Sequence, residues 1–184
     1  MMVGLDALYA RVLLINLAVA PAMFQQYVAP VANEVDGIAF VFKLLTFVAF
    51  AIWIYVAGRN LVRAGYENLE FSPASRIWWF VVPVACLFKP FQGMRELWNA
   101  SHGNPQYDEN NGLVGIWWAI WLLCMLTGAF ASLAQGEAGP LGLGLLGISS
   151  ALYVARAVVA IVMIRRIAAA QARLSQPALA EVFA

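Results

Sequence analysis

The sequence predicts an all-α membrane protein with four transmembrane helices plus a cytoplasmic-face re-entrant or interfacial helical segment. Three observations carry this. Of 184 residues, 63% are hydrophobic and 11% charged, with mean hydropathy +0.77. A soluble domain holds roughly 25% charged residues, so here the bilayer has to act as solvent. Four uncharged stretches follow one another, Val12 to Asn33, Leu44 to Gly58, Asn110 to Gly136 and Ala138 to Ala155. Positive charge falls almost wholly on one side of them. The implied spans are about 12–32, 37–58, 113–134 and 141–164, in a single membrane domain of residues 1–175 with a flexible tail at 176–184.

The first stretch has some look of a secretory signal, with Arg11, an apolar run and the triplet Ala20-Pro21-Ala22. Asp6 ahead of Arg11 and the apolar residues Met23, Phe24, Tyr27 and Val28 beyond the triplet favour a retained span. The link after it holds Glu34 and Asp36, and the last link holds Glu137; neither has Lys or Arg. The middle link carries Arg59, Arg63, Arg76, Lys89 and Arg95, and the tail Arg165, Arg166 and Arg173. Basic residues resist translocation, which puts the middle link and both termini in the cytoplasm of a multi-pass protein.

The middle link needs its own reading. Ile77 to Phe88 is a run of twelve uncharged residues. As a helix it covers about 18 Å of a hydrocarbon core roughly 30 Å thick. Pro83 interrupts it, and Lys89-Pro90 ends it. The candidate re-entrant segment, 76–99, therefore contains Pro83, Cys86, Lys89 and Pro90, and enters from the cytoplasmic face without crossing. Ser72 and Pro73 suit a helix start. After Pro90, the residues Phe91, Met94, Leu97 and Trp98 share one helical face, with Gln92, Arg95 and Glu96 mostly off it, as in a helix lying at the membrane surface. Ser101 to Gly112 reads as a polar loop. The seven tryptophans all fall in the cytoplasmic half of this topology, as an interfacial belt or as the lining of an aromatic cavity.

The same region carries a resemblance. Its motifs are Arg59-Asn60-Leu61, Phe71-Ser72-Pro73, the Trp-rich run Trp78 to Pro83, Lys89-Pro90-Phe91-Gln92 and Arg95-Glu96-Leu97-Trp98. This string resembles the bacterial integral-membrane family catalogued as domain of unknown function four-three-two-eight. Members often have Asn at the position of Cys86. The resemblance implies membrane class and topology, and localisation in the bacterial inner (plasma) membrane. It implies no particular activity, since the family has no agreed one.

Two basic residues fall inside spans, where a charge at a helix centre costs about 2.5–3.5 kcal/mol on insertion scales. Lys43 is close enough to the outer boundary to snorkel. Arg156 lies about 13 Å deeper than Arg165 at the helical rise. Ser149 and Tyr153 share its face, and Trp121 is a cation–π candidate. Arg156, Tyr153, Ser149 and Trp121 form the candidate anion, lipid or intramembrane polar site, with helix-to-helix glue and an ion pathway as the other uses of Arg156.

Recognisable chemistry is sparse. Net charge of +1 gives no reason to expect nucleic acid. Cys86 and Cys124, far apart in apolar runs, read as small hydrophobes rather than a disulfide. His102, the single histidine, sits in a loop near Asp108 and Glu109, a poor metal set. No catalytic residue, metal site or cofactor is expected. The function these features favour is a non-enzymatic membrane module binding lipid or a partner protein, the partner being another protein or a second copy. A small channel or transporter component using the Pro83-broken segment and Arg156 is the alternative, followed by a membrane-embedded enzyme.

Overall fold

A computed structural model of the chain describes Gln26 and residues 29–133 and 140–174, with side chains described at Gln26, 37–130 and 148–174. Among the described residues there is no strand. The elements are α1 (Ala29–Arg63), α2 (Ser75–Trp78), a 3-10 turn (Ala85–Leu87), α3 (Lys89–Ser101), α4 (Gly112–Leu133) and α5 (Pro140–Leu174). Three stretches are long and apolar enough to cross a membrane: Gly37–Arg63, Gly112–Phe130 and Ile148–Leu174. They correspond to the second, third and fourth expected spans. The first span lies outside the described residues except for Gln26 and its end, residues 29–32, where α1 begins. The tail at 176–184 lies outside them as well. The backbone of Glu34 and Asp36 is helical, inside α1.

Two helices overrun the expected spans. α1 continues past residue 58 to Arg63, and α5 past residue 164 to Leu174. Hydropathy marks where lipid ends, not where a helix ends. The overrun of α5, Arg165 to Leu174, is rich in Ala, Arg, Gln and Leu, which favour helix in water too. α1 stops where Gly65 takes φ +81°. There Tyr66 N–H donates to Leu61 C=O at 3.2 Å and Gly65 N–H to Val62 C=O at 3.2 Å. The end of α3 repeats the device at Gly103 (φ +73°). Asn104 N–H donates to Asn99 C=O at 3.0 Å there. A left-handed residue just past a helix lets the last carbonyls find donors, and glycine adopts it without a Cβ penalty. α4 starts on Asn111, whose Oδ1 accepts from Leu113 N–H at 2.9 Å.

The chain divides into two compact units. The first comprises Met1–Thr46 and Ile120–Ala157. Its described part is apolar and outward-facing: Ile38, Phe40, Leu45, Leu126 and Phe130 are each more than half exposed. Such a surface is untenable in water and ordinary in lipid. Thr46 and Thr127 turn their hydroxyls back to carbonyls four residues earlier, Phe42 and Leu123, so neither presents an unmet donor to lipid.

The second unit comprises Phe47–Ala119 and Val158–Ala184 and holds most of the described core. Ile54 and Leu61 of α1, Met94 and Leu97 of α3, and Met163 and Ile167 of α5 are at most 1% exposed. An aromatic cluster extends this core. Phe50 stacks on Trp53 at 5.7 Å, meets Trp117 at 6.0 Å and meets Phe80 edge-on at 6.4 Å. Trp98, Trp117 and Trp118 are buried, whereas Trp78 is exposed. Three of the tryptophans are thus packing residues of the protein.

Candidate functional site

The middle link folds around a buried ion pair. Ser72 starts it: its Oγ accepts from Ser75 N–H at 3.1 Å, and its C=O accepts from Arg76 N–H at 3.3 Å. Arg76 then points inward and is 2% exposed. Its Nη2 donates to Glu96 Oε1 of α3 at 2.5 Å. Glu96, itself 5% exposed, also accepts from two backbone donors, Glu70 N–H at 2.6 Å and Phe71 N–H at 3.2 Å. One carboxylate thus fixes the start of the link and the guanidinium together. Burial presses the Arg76 pKa below the ordinary arginine range, while the charge and hydrogen bond of Glu96 oppose that shift. Arg76 Nε and Nη1 have no hydrogen-bond partner among the described residues.

Two glycines make room for this side chain. A Cβ on Gly58 of α1 would meet Arg76 Nη1 at 2.6 Å and Pro73 Cα at 3.2 Å. A Cβ on Gly93 of α3 would lie 3.4 Å from Arg76 Cγ. Arg76 is therefore sandwiched between α1 and α3. Pro90 and Phe71 are buried beside it. A second, exposed pair sits near the first: Lys89 Nζ lies 3.0 Å from Glu70 Oε1 and 5.2 Å from the Phe71 ring centroid.

Between the two pairs runs the candidate re-entrant segment. It is broken, not one continuous helix: α2 ends at Trp78, turns follow, and the 3-10 turn ends at Leu87. Ala85 N–H reaches Pro83 C=O at 2.7 Å across Val84, which takes φ 64° and ψ −51°. That is a γ-turn, strained for a β-branched residue. The N–H groups of residues 79–82 and 85–88 all donate to carbonyls within the segment or just before it. Several of its side chains face outward: Trp78, Val81 and Val84 are 63–70% exposed, and Leu87 and Phe88 nearly half, whereas Phe80 packs on Phe47 and Phe50. Pro83 is exposed, Cys86 is a half-buried free thiol, Lys89 is half-buried and Pro90 is buried.

On the other side of α3, Gln171 of α5 ties three helices. Its Nε2 donates to Ala57 C=O of α1 at 3.0 Å and to Ser101 Oγ of α3 at 2.9 Å. Its Oε1 accepts from Asn60 Nδ2 at 3.1 Å. Asn99 pins the polar loop, donating to Tyr107 C=O at 2.9 Å and Glu109 C=O at 2.8 Å. His102 stacks on Trp98 at 4.3 Å and its Nδ1 lies 2.8 Å from Trp98 C=O. Among the described residues no group of three or more His, Cys, Asp or Glu is placed to hold a metal.

The intramembrane candidates lie in the first unit, away from this site in sequence. Arg156 is half-buried, with its guanidinium carbon 5.0 Å from the Tyr153 ring centroid. Ser149 and Trp121 are half-buried too. Cys124 of α4 is buried.

Sequence reasoning missed the Arg76–Glu96 pair and the Gln171 tie. Glu96, read as lying off the buried face of its helix, is buried and anchors the link. One signal pointed there: Glu96 has Met94, Arg95, Leu97 and Trp98 for neighbours, so a helix turned by half a residue step buries it. Most of the motif string noted in the sequence converges here, through Phe71, Pro90, Glu96 and Leu97. Comparison with curated proteins gives no match, and comparison with solved structures gives none. A family model described as Domain of unknown function (DUF4328) matches residues 26–169, and the chain belongs to that family.

Proposed function

We propose that the chain is a multi-pass module of the bacterial inner membrane with four spans and both termini in the cytoplasm. In this reading it performs no chemistry of its own and works by binding lipid or a partner protein. The observation that carries it is the segment from Trp78 to Phe88. Its outward side chains are apolar, and the N–H groups of residues 79–82 and 85–88 are met locally. Both ends are held by ion pairs, Arg76–Glu96 and Lys89–Glu70. An apolar segment with most of its donors met, on a charged mount, is suited to the membrane interface. Irregular backbone facing lipid is excluded from the hydrocarbon interior, which favours a shallow re-entrant or interfacial depth. The buried charges support the non-enzymatic reading. Glu96 is occupied by Arg76 and two backbone N–H groups, which leaves it no substrate-facing task.

Arg156 belongs to the same proposal as an intramembrane polar residue. Its half-buried guanidinium, over the Tyr153 ring, favours a position facing the bundle. A lipid headgroup or other anion is the ligand its charge would attract.

The test is depth. An environment-sensitive fluorophore on Val84→Cys, with Cys86 and Cys124 replaced, should emit at short wavelength in membranes. It should be quenched by a lipid-borne quencher and spared by aqueous iodide. Iodide quenching at Val84 equal to that at Asn104 would overturn the proposal.

A further inference from the structure

A groove in the second unit points to a lipid of defined chemistry. It has a volume of about 670 Å³ and runs between the C-terminal parts of α1 and α5. Its walls are apolar along most of their length, with Trp53, Ala57, Leu61 and Ala168 among them. Asn60, Gln171 and Arg63 supply its polar part. α1 and α5 run in the same direction here, since Gln171 bonds Ala57 and Asn60 while Leu174 and Ala64 line the same end.

The groove's length and charge select its occupant. The stretch Gly37–Arg63 is 27 residues, which rises about 40 Å, against roughly 40–45 Å for a bilayer with its headgroup regions. Arg63 then stands at headgroup level. From Ala64 down to Trp53 the groove follows about 16 Å of helix, the depth of about one leaflet. Among the described residues two ion pairs form, and neither uses Arg63, Arg165, Arg166 or Arg173. Arg63 is exposed, so its charge is available at the groove's end. Gln171 spends both amide hydrogens on Ala57 and Ser101, which leaves anion recognition to Arg63 with Asn60 beside it.

We infer that this groove holds one acyl chain of an anionic phospholipid from the cytoplasmic leaflet, with the phosphate against Arg63. This rests on the membrane topology proposed above and names the lipid class for it. The chain would lie on the apolar surface of Trp53, Ala57 and Ala168. A zwitterionic lipid fills the apolar part equally well but gains less from an arginine at headgroup level.

The full-length protein in mixed micelles, titrated with phosphatidylglycerol, phosphatidylcholine or inorganic phosphate, tests this by thermal shift and by lipid adducts in native mass spectrometry. Phosphatidylglycerol should bind and raise the melting temperature, and phosphate alone should not. Arg63→Gln should weaken phosphatidylglycerol binding about fivefold, the weight of one basic residue at an anionic surface, and bring it level with phosphatidylcholine. Ala168→Phe, at an exposed wall position, should abolish both adducts while the protein still folds. Arg165→Gln should change nothing. Equal affinity for the two lipids in the unaltered protein, a full shift from phosphate alone, or undiminished binding in Ala168→Phe would overturn the inference. So would a lipid-free dimer that Ala168→Phe dissolves, since the occupant would then be a second copy. Impermeant labelling of Asn104→Cys in intact and in lysed cells separates these failures from failure of the topology.

Discussion

Glu96→Gln keeps the shape of the buried side chain and removes its charge. Arg76, at 2% exposure and 2.5 Å away, would then be a cation with no counter-charge in a dry site. Breaking a buried pair by removing one partner costs about 3–5 kcal/mol, whereas an exposed pair contributes about 0–1 kcal/mol. The backbone donors add to the loss. Glu70 N–H and Phe71 N–H each have an oxygen of Glu96, and the glutamine amide offers one oxygen and turns its NH2 on the other donor. A destabilisation of about 3–5 kcal/mol is therefore expected. Arg76→Met with Glu96→Gln should recover part of it, because neither charge is then left desolvated. Reversible unfolding in mixed micelles, followed by tryptophan fluorescence, measures both. A loss below about 1 kcal/mol for Glu96→Gln would refute the buried-pair reasoning, since that is the range of a solvated pair. A double variant costing the full sum of the singles would refute the coupling.

Four further outcomes follow from the packing. Gly58→Ala should cost about 1–3 kcal/mol, because its Cβ would stand 2.6 Å from Arg76 Nη1 and 3.2 Å from the Pro73 backbone. Gly115→Ala in α4 meets nothing within 4 Å, and the same unfolding measurement should show a gain of up to about 1 kcal/mol. Gln171→Leu deletes three hydrogen bonds joining α1, α3 and α5. It should cost about 1–3 kcal/mol and raise protease sensitivity near Ser101. Arg156→Leu should change stability by no more than about 1–2 kcal/mol, since it loses the Tyr153 contact but also a desolvated charge. If Arg156 holds an anionic headgroup, the folded variant should lose a co-purifying acidic lipid.

The features legible in the sequence were those that local patterns encode. Uncharged length placed α1, α4 and α5, and the prolines and short span of residues 77–88 foretold a broken segment. The buried contacts of the second unit were not legible, because they join positions far apart in the chain. Arg76 meets Glu96 across 20 residues, and Gln171 meets Ser101 across 70. Helical periodicity ranks a glutamate as solvent-facing unless a partner is known, and that misplaced Glu96. Asn99 carried no signal in the sequence for the same reason, yet its buried amide holds the loop carbonyls of Tyr107 and Glu109. Tryptophan likewise suggested an interface by residue type, while Trp98 and Trp117 serve the core. Arg156 stands out in the sequence as an expensive charge in an apolar helix, and its contact with Tyr153 follows from their one-turn spacing.

The most direct test of the membrane topology is side-specific labelling of single cysteines in intact cells, on a background lacking Cys86 and Cys124. Asn33→Cys and Gln135→Cys should react with an impermeant maleimide before lysis. Asn104→Cys, in the loop pinned by Asn99, should react only after lysis. Reaction of Asn104→Cys in intact cells would contradict the cytoplasmic middle link, and with it the four-span arrangement.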